Sequence, residues 1–368
     1  SFLPLSHSYE HTAGQFLPIT IGAEIYYAEG VDQLQKNLAE ARPTIMTAVP
    51  RLYETMHLRI TRRVDKEGGL SARLFYKAVE LGKKRYHDPQ SLTFWERLQD
   101  LVLERLVRSK VRKRFGGRIK AIVSGGAALN YDIGLFFTAL GLPILQGYGQ
   151  TETAPVVSVN PPWRVKLETV GPPFDGVEVK IATDGEILVR GELVMTGYWN
   201  DEEATYAAVQ EGWLHTGDIG ELDEDGYLKI TDRKKDIIVF SGGDNVSPAR
   251  VEGFLTLQRE IVQAMVYGDK RPHLVALLVP DEEFTDNWCR AQEKTNDLTQ
   301  LRDDPAFRAA LSAVVDRVNA NLSSLEKVRR FALLSEGFTV DNGMLTPTMK
   351  IRRHKIREAY GEVINGLY

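Results

Sequence analysis

Two short apolar runs in this chain each stop at a glycine cluster, and no other feature restricts the fold as much. Ile119-Lys-Ala-Ile-Val-Ser124 runs into Gly125-Gly126-Ala127-Ala128, and Pro143-Ile-Leu-Gln146 runs into Gly147-Tyr148-Gly149. A third run, Thr44-Ile-Met-Thr-Ala-Val-Pro50, precedes them. Runs this short and apolar read as strands buried on both faces. Between the first and second strands lies a long helical region, Arg51 to Arg114, interrupted at Gly68-Gly69 and at Asp88-Pro89. Strands alternating with helices predict a parallel α/β layer over residues 1–162. Ligands bind at the carboxyl ends of strands in such layers, and glycine there lets backbone come close to a ligand. Either cluster alone is more often a plain turn. Two in one layer point to a nucleotide pocket.

The texture changes after Pro161-Pro162. Val177–Ile181, Glu186–Arg190 and Tyr227–Ile230 are short strands separated by Asp-Gly turns at Asp184-Gly185 and Asp225-Gly226, which predicts a small antiparallel β unit over 163–231. The charged run Asp232-Arg-Lys-Lys-Asp236 is the best linker, with a hinge at 232–235. Strand-like Ile237–Phe240 and Leu274–Val279 then open an α+β segment over 236–368. The expected class is therefore multidomain, α/β followed by α+β.

Composition narrows the function classes. A chain of 368 residues exceeds one ordinary core, and a net charge of -4 argues against nucleic acid as the main partner. The single cysteine, Cys289, cannot form an internal disulfide, which suits a reducing compartment such as the cytoplasm, and it reads as a small packed residue. No apolar run approaches the ~20 residues that span a bilayer. Arg105, Arg108, Lys110, Arg112, Lys113 and Arg114 form a basic helical stripe. A solvated face paired with nearby acids is the favoured reading, and a membrane-surface site the other. The opening Ser-Phe-Leu-Pro-Leu-Ser-His7 reads as the inside of a domain, so the start is taken as a truncation.

Certain side chains near the glycines suit phosphate chemistry. The Thr151 hydroxyl can bond a phosphate oxygen, and the adjacent Glu152 carboxylate can hold magnesium beside it. Glu152 capping a helix is the plainer alternative. In Trp213-Leu-His-Thr-Gly-Asp218, an aspartate on a Thr-Gly turn can accept from both hydroxyls of a ribose, or can simply close an Asx-turn. His215 reads as structural.

Together these pieces resemble the adenylate-forming superfamily of acyl-CoA synthetases, luciferases and peptide-synthetase adenylation domains, over essentially the whole chain and in the family's motif order. The resemblance implies roles. Phe2–His7 is similar to the motif whose histidine, His7, lies by the acyl pocket. Gly125, Gly126 and Ala127 match the adenine-side loop. Gly147, Tyr148 and Gly149 match the segment with the adenine-stacking ring, followed by phosphate-binding Thr151 and magnesium-binding Glu152. Asp218 and Arg233 match the ribose contacts, and Lys235 the pivot of a mobile C-terminal lid. Gly242 and Gly243, in Ser241–Pro248, match the loop lining the CoA thiol tunnel. Lys350, in Leu345-Thr-Pro-Thr-Met-Lys350, matches the catalytic lysine.

Arg42-Pro-Thr, Val49–Glu54, the helical insertion ending in Lys110–Gly117, and Thr346–Arg353 resemble the long-chain fatty acyl-CoA synthetase branch. The implied activity is AMP-forming ligation of a long-chain fatty acid to coenzyme A, with ATP and Mg2+. It would take place in the cytoplasm, with peripheral contact at the inner face of the membrane and oligomerisation as open features. The family's phosphate-binding loop would lie upstream of Ser1, which implies that this chain alone is inactive. An aryl- or medium-chain acyl-CoA ligase, another adenylation domain, and a noncatalytic nucleotide- or acyl-binding protein are the alternatives.

Overall fold

The computed structural model describes residues 1–30, 33–346 and 349–368. It divides into two compact units, Ser1–Thr231 and Asp232–Tyr368. The fold is α/β and α+β.

The first unit is built on a parallel sheet whose central strands come from the apolar runs. β1 (Ile45–Ala48) pairs in parallel with β2 (Ala121–Ser124), and β2 with β3 (Ile144–Tyr148). A short antiparallel strand, β4 (Ser158–Val159), closes the edge beside β3. Pro50 starts α1 (Pro50–Glu67), where a missing N–H costs nothing. Gly68 separates α1 from α2 (Gly69–His87). A Thr93–Glu96 capping box then opens α3 (Phe94–Leu103), which continues through a π turn (Glu104–Arg108) into α4 (Ser109–Arg114).

The basic stripe on this last helix is not one surface. Arg108 is completely buried, donating to the Asp100 carboxylate at 2.6 Å and to the carbonyls of Ala78 and Ala139 at 2.7 Å each. Lys110, two positions on, is exposed instead, because helical residues two apart do not share a face. Arg112 is taken up by Glu104, which leaves Arg105, Lys110, Lys113 and Arg114 as the exposed cations of the stripe.

A second sheet of the same unit has the order β5 (Glu178–Ile181), β6 (Glu186–Arg190), β8 (Trp213–Leu222), β7 (Val209–Gln210), with β9 (Leu228–Arg233) also on β8. Val157, Ile187, Val189 and Leu228 form its core.

The second unit opens with a two-stranded ribbon, β10 (Ile238–Val239) and β11 (Asn245–Val246), followed by α5 (Pro248–Thr256). Its main sheet places β13 (Leu274–Pro280) between antiparallel β12 (Ile261–Tyr267) and parallel β14 (Val328–Leu333). β13 is buried along its whole length, and its period of two sorts the side chains. Leu274, Ala276 and Leu278 join one core with Val251, Leu255, Phe307 and Leu311. Val275, Leu277 and Val279 join another with Ile356 and Ile364 of α6 (Arg353–Asn365). Cys289 is buried in the first of these cores, and burial pushes its thiol up.

Candidate active site

In the first unit the candidate groups gather where β2 and β3 end. β3 delivers Tyr148, and the chain then folds tightly against itself: a side chain on Gly149 would begin 1.8 Å from the Pro155 carbonyl oxygen. That approach excludes every residue but glycine. The following turn, Thr151–Thr153, is held by the Gln150 N–H donating to the Thr153 hydroxyl at 2.9 Å. Thr151 is left exposed, its hydroxyl 3.2 Å from that of Ser8. Glu152 is half-buried and accepts a 2.9 Å hydrogen bond from the Tyr198 hydroxyl, while its own carbonyl accepts from the Met195 N–H. Burial, then the Glu152 carboxylate beside it, push the Tyr198 phenol up.

Asp218 does not sit on a turn between strands, as its Thr-Gly context suggests. It lies inside β8, at a bulge. Against β6, Glu186 pairs with Ile219 and Leu188 with His215, so β8 carries extra residues over this stretch. Gly217 takes them up with a φ of +69°, a conformation natural to glycine. The bulge is braced by the Thr216 hydroxyl donating to the Ile187 carbonyl at 2.7 Å and the Gly217 N–H donating to Glu186 at 2.9 Å. His215 faces the same Glu186 carboxylate at 3.3 Å. The result turns Asp218 toward β3: its Oδ2 accepts from the Tyr148 hydroxyl at 2.7 Å and from Gln150 Nε2 at 2.6 Å. Asp218 is buried, so these bonds fix it.

Gly125 lies buried at the end of β2, while Gly126 and Ala127 are exposed. The Tyr9 ring packs over Gly125, and its hydroxyl donates to the Val123 carbonyl at 2.9 Å. His7, two residues earlier, is half-buried and accepts the Tyr9 N–H at Nδ1 at 3.2 Å. Gln150, Tyr198 and Tyr9 are positioning residues that sequence reasoning did not single out. Gln150 lay within the quoted motif, but nothing in the spacing pointed to Tyr198 or Tyr9.

The second unit carries its candidates on separate loops. Asp232 and Arg233 end β9, and the Arg233 carbonyl accepts from the N–H groups of Asp236 and Ile237, forming a turn that leaves Lys235 exposed. Asp232 Oδ1 accepts from the Arg233 N–H at 2.7 Å, whereas Oδ2 is buried with no hydrogen-bond partner among the described residues. Burial raises its carboxyl above the ordinary range. Asp236 adds to the rise, with the Arg233 N–H, Ser247 and Arg353 acting the other way. Gly242 and Gly243 form the exposed turn of the β10–β11 ribbon, closed by the Phe240 N–H on Asp244 and the Gly243 N–H on Phe240. Lys350 is exposed on a loop pinched by a bridge between Leu345 and Ile351, with its N–H on the Thr346 hydroxyl at 3.0 Å. Residues 347–348 of this expected lysine segment lie outside the described residues.

Just after Lys350, Arg353 starts α6 and binds Glu252 of α5. Burial lowers the Arg353 guanidinium but is outweighed by Glu252, Asp236 and Asp232, which hold it above its ordinary value. The hinge-like turn and the lysine loop thus share one charge cluster.

Within the first unit these groups bring a ring, two carboxylates and exposed hydroxyls together where β2 and β3 end. The profile of the AMP-binding enzyme family matches residues 1–199, and that of the AMP-binding enzyme C-terminal domain matches 235–368. A long-chain-fatty-acid–CoA ligase of Mycobacterium bovis is 37% identical over 374 residues, covering 100% of this chain and 61% of its own length. A peroxisomal long chain acyl-CoA synthetase of Arabidopsis thaliana is 34% identical over 390 residues, covering 100% of this chain and 54% of its own. The chain thus spans between half and two thirds of these relatives. The adenylation and carrier didomain of a carboxylic acid reductase from Segniliparus rugosus, solved with AMP, superposes with a TM-score of 0.74 at 23% identity, over 100% of this chain and 47% of that one. That last likeness is one of fold. Among the described residues, no helix is long and apolar enough to cross a membrane.

Proposed function

Because the chain belongs to the AMP-binding enzyme family, we propose that its protein joins a long-chain fatty acid to coenzyme A at the expense of ATP. A carboxylate is a poor acylating agent. Its oxygen attacks the α-phosphorus of ATP, the bond to pyrophosphate breaks, and an acyl-adenylate forms. The CoA sulfur then attacks the acyl carbon, AMP departs with the bonding pair, and the thiol proton passes to solvent. The observation that carries this reading is the Asp218 carboxylate, fixed by Tyr148 and Gln150 beside the Thr151-Glu152 turn. The names of the full-chain relatives support the choice of acid.

The residues divide the work. Gly125, Gly126, Ala127, Gly147, Tyr148 and Gly149 form the adenine side, with backbone close enough to pack on a base. Asp218 and Arg233 take the ribose hydroxyls, and Thr151 a phosphate oxygen. Among the described residues, no group of three or more His, Cys, Asp or Glu side chains could hold a metal. Glu152, a single carboxylate next to an exposed hydroxyl, nevertheless fits magnesium, which takes its other oxygens from phosphates and water. Magnesium would offset the charge that builds as two anions meet. Lys350 would stabilise the same charge from the acyl oxygen and α-phosphate side. Lys235 is the pivot of the second unit, Gly242 and Gly243 line the thiol path, and His7 borders the acyl pocket. The protein would act in the cytoplasm with peripheral contact to the inner face of the membrane.

The test is ATP–pyrophosphate exchange and acyl-CoA formation by the full-length protein over a panel of acids. Palmitate should drive both. Exchange driven by aryl acids but not by palmitate would reassign the substrate, and exchange with no acid would remove the ligase reading.

A further inference from the structure

We propose that the outer face of the helix over residues 94–114 docks the protein onto an anionic lipid bilayer. The segment runs from Phe94 through the π turn to Arg114 without leaving helical backbone. Its inner face is already satisfied: Leu103, Val107 and Val111 are buried, as is the Arg108–Asp100 pair. The outer face is nonetheless apolar. Phe94, Trp95 and Leu101 are 70%, 72% and 69% exposed, and Leu98, Val102 and Leu106 are exposed beside them. Their spacing lays them along one side of the helix. A contiguous apolar patch of this kind marks a place where something binds.

The charges say what binds there. The exposed ionisable residues of the segment are Arg97, Arg105, Lys110, Lys113 and Arg114, all cations. Each acid in it is withdrawn: Glu96 pairs with Lys84, Asp100 with Arg85 and Arg108, and Glu104 with Arg112. Aromatic and aliphatic side chains flanked by cations, with no exposed acid, fit the acyl and headgroup layers of a membrane carrying negative lipid. A second copy of the chain fits poorly, because a two-fold contact would set these cations against their own copies. The face gives substance to the peripheral contact proposed above, but it rests on its own geometry and not on the ligase reading.

The experiment is sedimentation of the full-length protein with vesicles, without ATP, acid or CoA. Equal parts phosphatidylglycerol and phosphatidylcholine should retain at least tenfold more protein than phosphatidylcholine alone, and high salt should release it. Tryptophan emission should move to shorter wavelength on the anionic vesicles. Trp95→Glu with Leu101→Glu, and separately Lys110→Glu with Lys113→Glu, should each cut retention about tenfold without changing thermal unfolding, and a clear drop in thermal unfolding by the first pair would assign the face to packing inside the full-length protein and overturn the proposal. Failure of the parent protein to bind anionic vesicles, or undiminished binding by both variants, overturns the proposal. So does conversion of an oligomer to monomer by the first variant, which would assign the face to a second copy. Vesicle binding by a protein with no ligase activity would leave the docking face standing, and the converse would leave the ligase standing.

Discussion

The Arg353 guanidinium grips the Glu252 carboxylate through two hydrogen bonds, each 2.6 Å long, across 101 positions of sequence. Glu252 Oε1 also accepts the Val266 N–H at 2.8 Å, so the carboxylate is held by a sheet strand as well as by a helix. This ties the first turn of α6, and the Lys350 loop leading into it, to α5 and β12. A planar guanidinium suits the task because both of its hydrogen bonds share one rigid geometry.

Removing Arg353 should therefore do more than delete a surface charge. The Glu252 side chain is only 9% exposed, and Arg353→Met would strand its charge. The loss should be roughly 3 kcal/mol of stability in the second unit, the low end for breaking a buried pair. Arg353→Met with Glu252→Gln, which removes the charge and keeps an oxygen for the Val266 N–H, should recover much of it. Amide exchange at Leu277, deep in β13, would report the change, and equal protection in parent and single variant would contradict the role given to the pair.

Asp218 and Tyr148 allow a graded test of the nucleotide site. Asp218→Ala removes a charged acceptor and leaves the Tyr148 hydroxyl and Gln150 amide without it, so ATP affinity should fall by about 2–4 kcal/mol. Tyr148→Phe keeps the ring and deletes one bond to Asp218, so the loss should be near 1 kcal/mol. Calorimetric titration with ATP separates the two. Equal effects would mean that the tyrosine hydroxyl, not its ring, is what the site requires.

Much of this was legible because the informative residues act locally. The strands at 45–48, 121–124 and 144–148 announce themselves as apolar runs, and the helix breaks at Gly68-Gly69 and Asp88-Pro89 fall where backbone chemistry demands. Asp218 was legible as a residue but not as a geometry. A Thr-Gly-Asp sequence reads as a turn, and only pairing with β6 makes it a bulge within β8. Arg108 misled for a related reason. The nearest cations of the stripe, Arg105 and Lys110, are exposed, whereas the carbonyls and carboxylate that bury Arg108 come from positions 78, 100 and 139. Tyr198, 46 positions from Glu152, left no local trace at all.

Asp232 carries a pH signature. Its carboxyl is raised, chiefly by burial, so folding favours the protonated form. The stability it contributes is complete below the ordinary carboxylate value and is lost as pH rises through the raised one. Asp232→Asn should therefore make the second unit more stable than the parent at neutral pH and no different in strong acid. Thermal unfolding at both conditions would decide. A variant that melts lower at neutral pH would show that the charge is stabilised in the folded chain.

Lys350 and the Gly242-Gly243 turn should separate the two half-reactions. Both belong to the second unit, yet they stand on different loops: Lys350 lies within the loop closed by the Leu345–Ile351 bridge, and the glycines form the tip of the β10–β11 ribbon. One ammonium on one loop serves whichever step brings that loop to the reacting atoms. If adenylation is that step, Lys350→Ala in the full-length protein should slow acyl-adenylate formation by several kcal/mol of barrier, the usual scale for losing a preorganised charge. CoA attack on supplied acyl-adenylate should be nearly untouched. A bulky substitution at the exposed Gly242, where an added Cβ would meet the Asp244 carboxylate at an ordinary 3.7 Å, should leave the fold intact and reverse the pattern by obstructing the thiol. Lys235→Pro, which fixes φ at the turn after β9, should likewise spare one step and slow the other. The measurement is both half-reactions for each variant, with synthetic acyl-adenylate feeding the second. Equal losses in the two steps for Lys350→Ala would mean that the lysine is not confined to the first, and that a single arrangement of the second unit serves both.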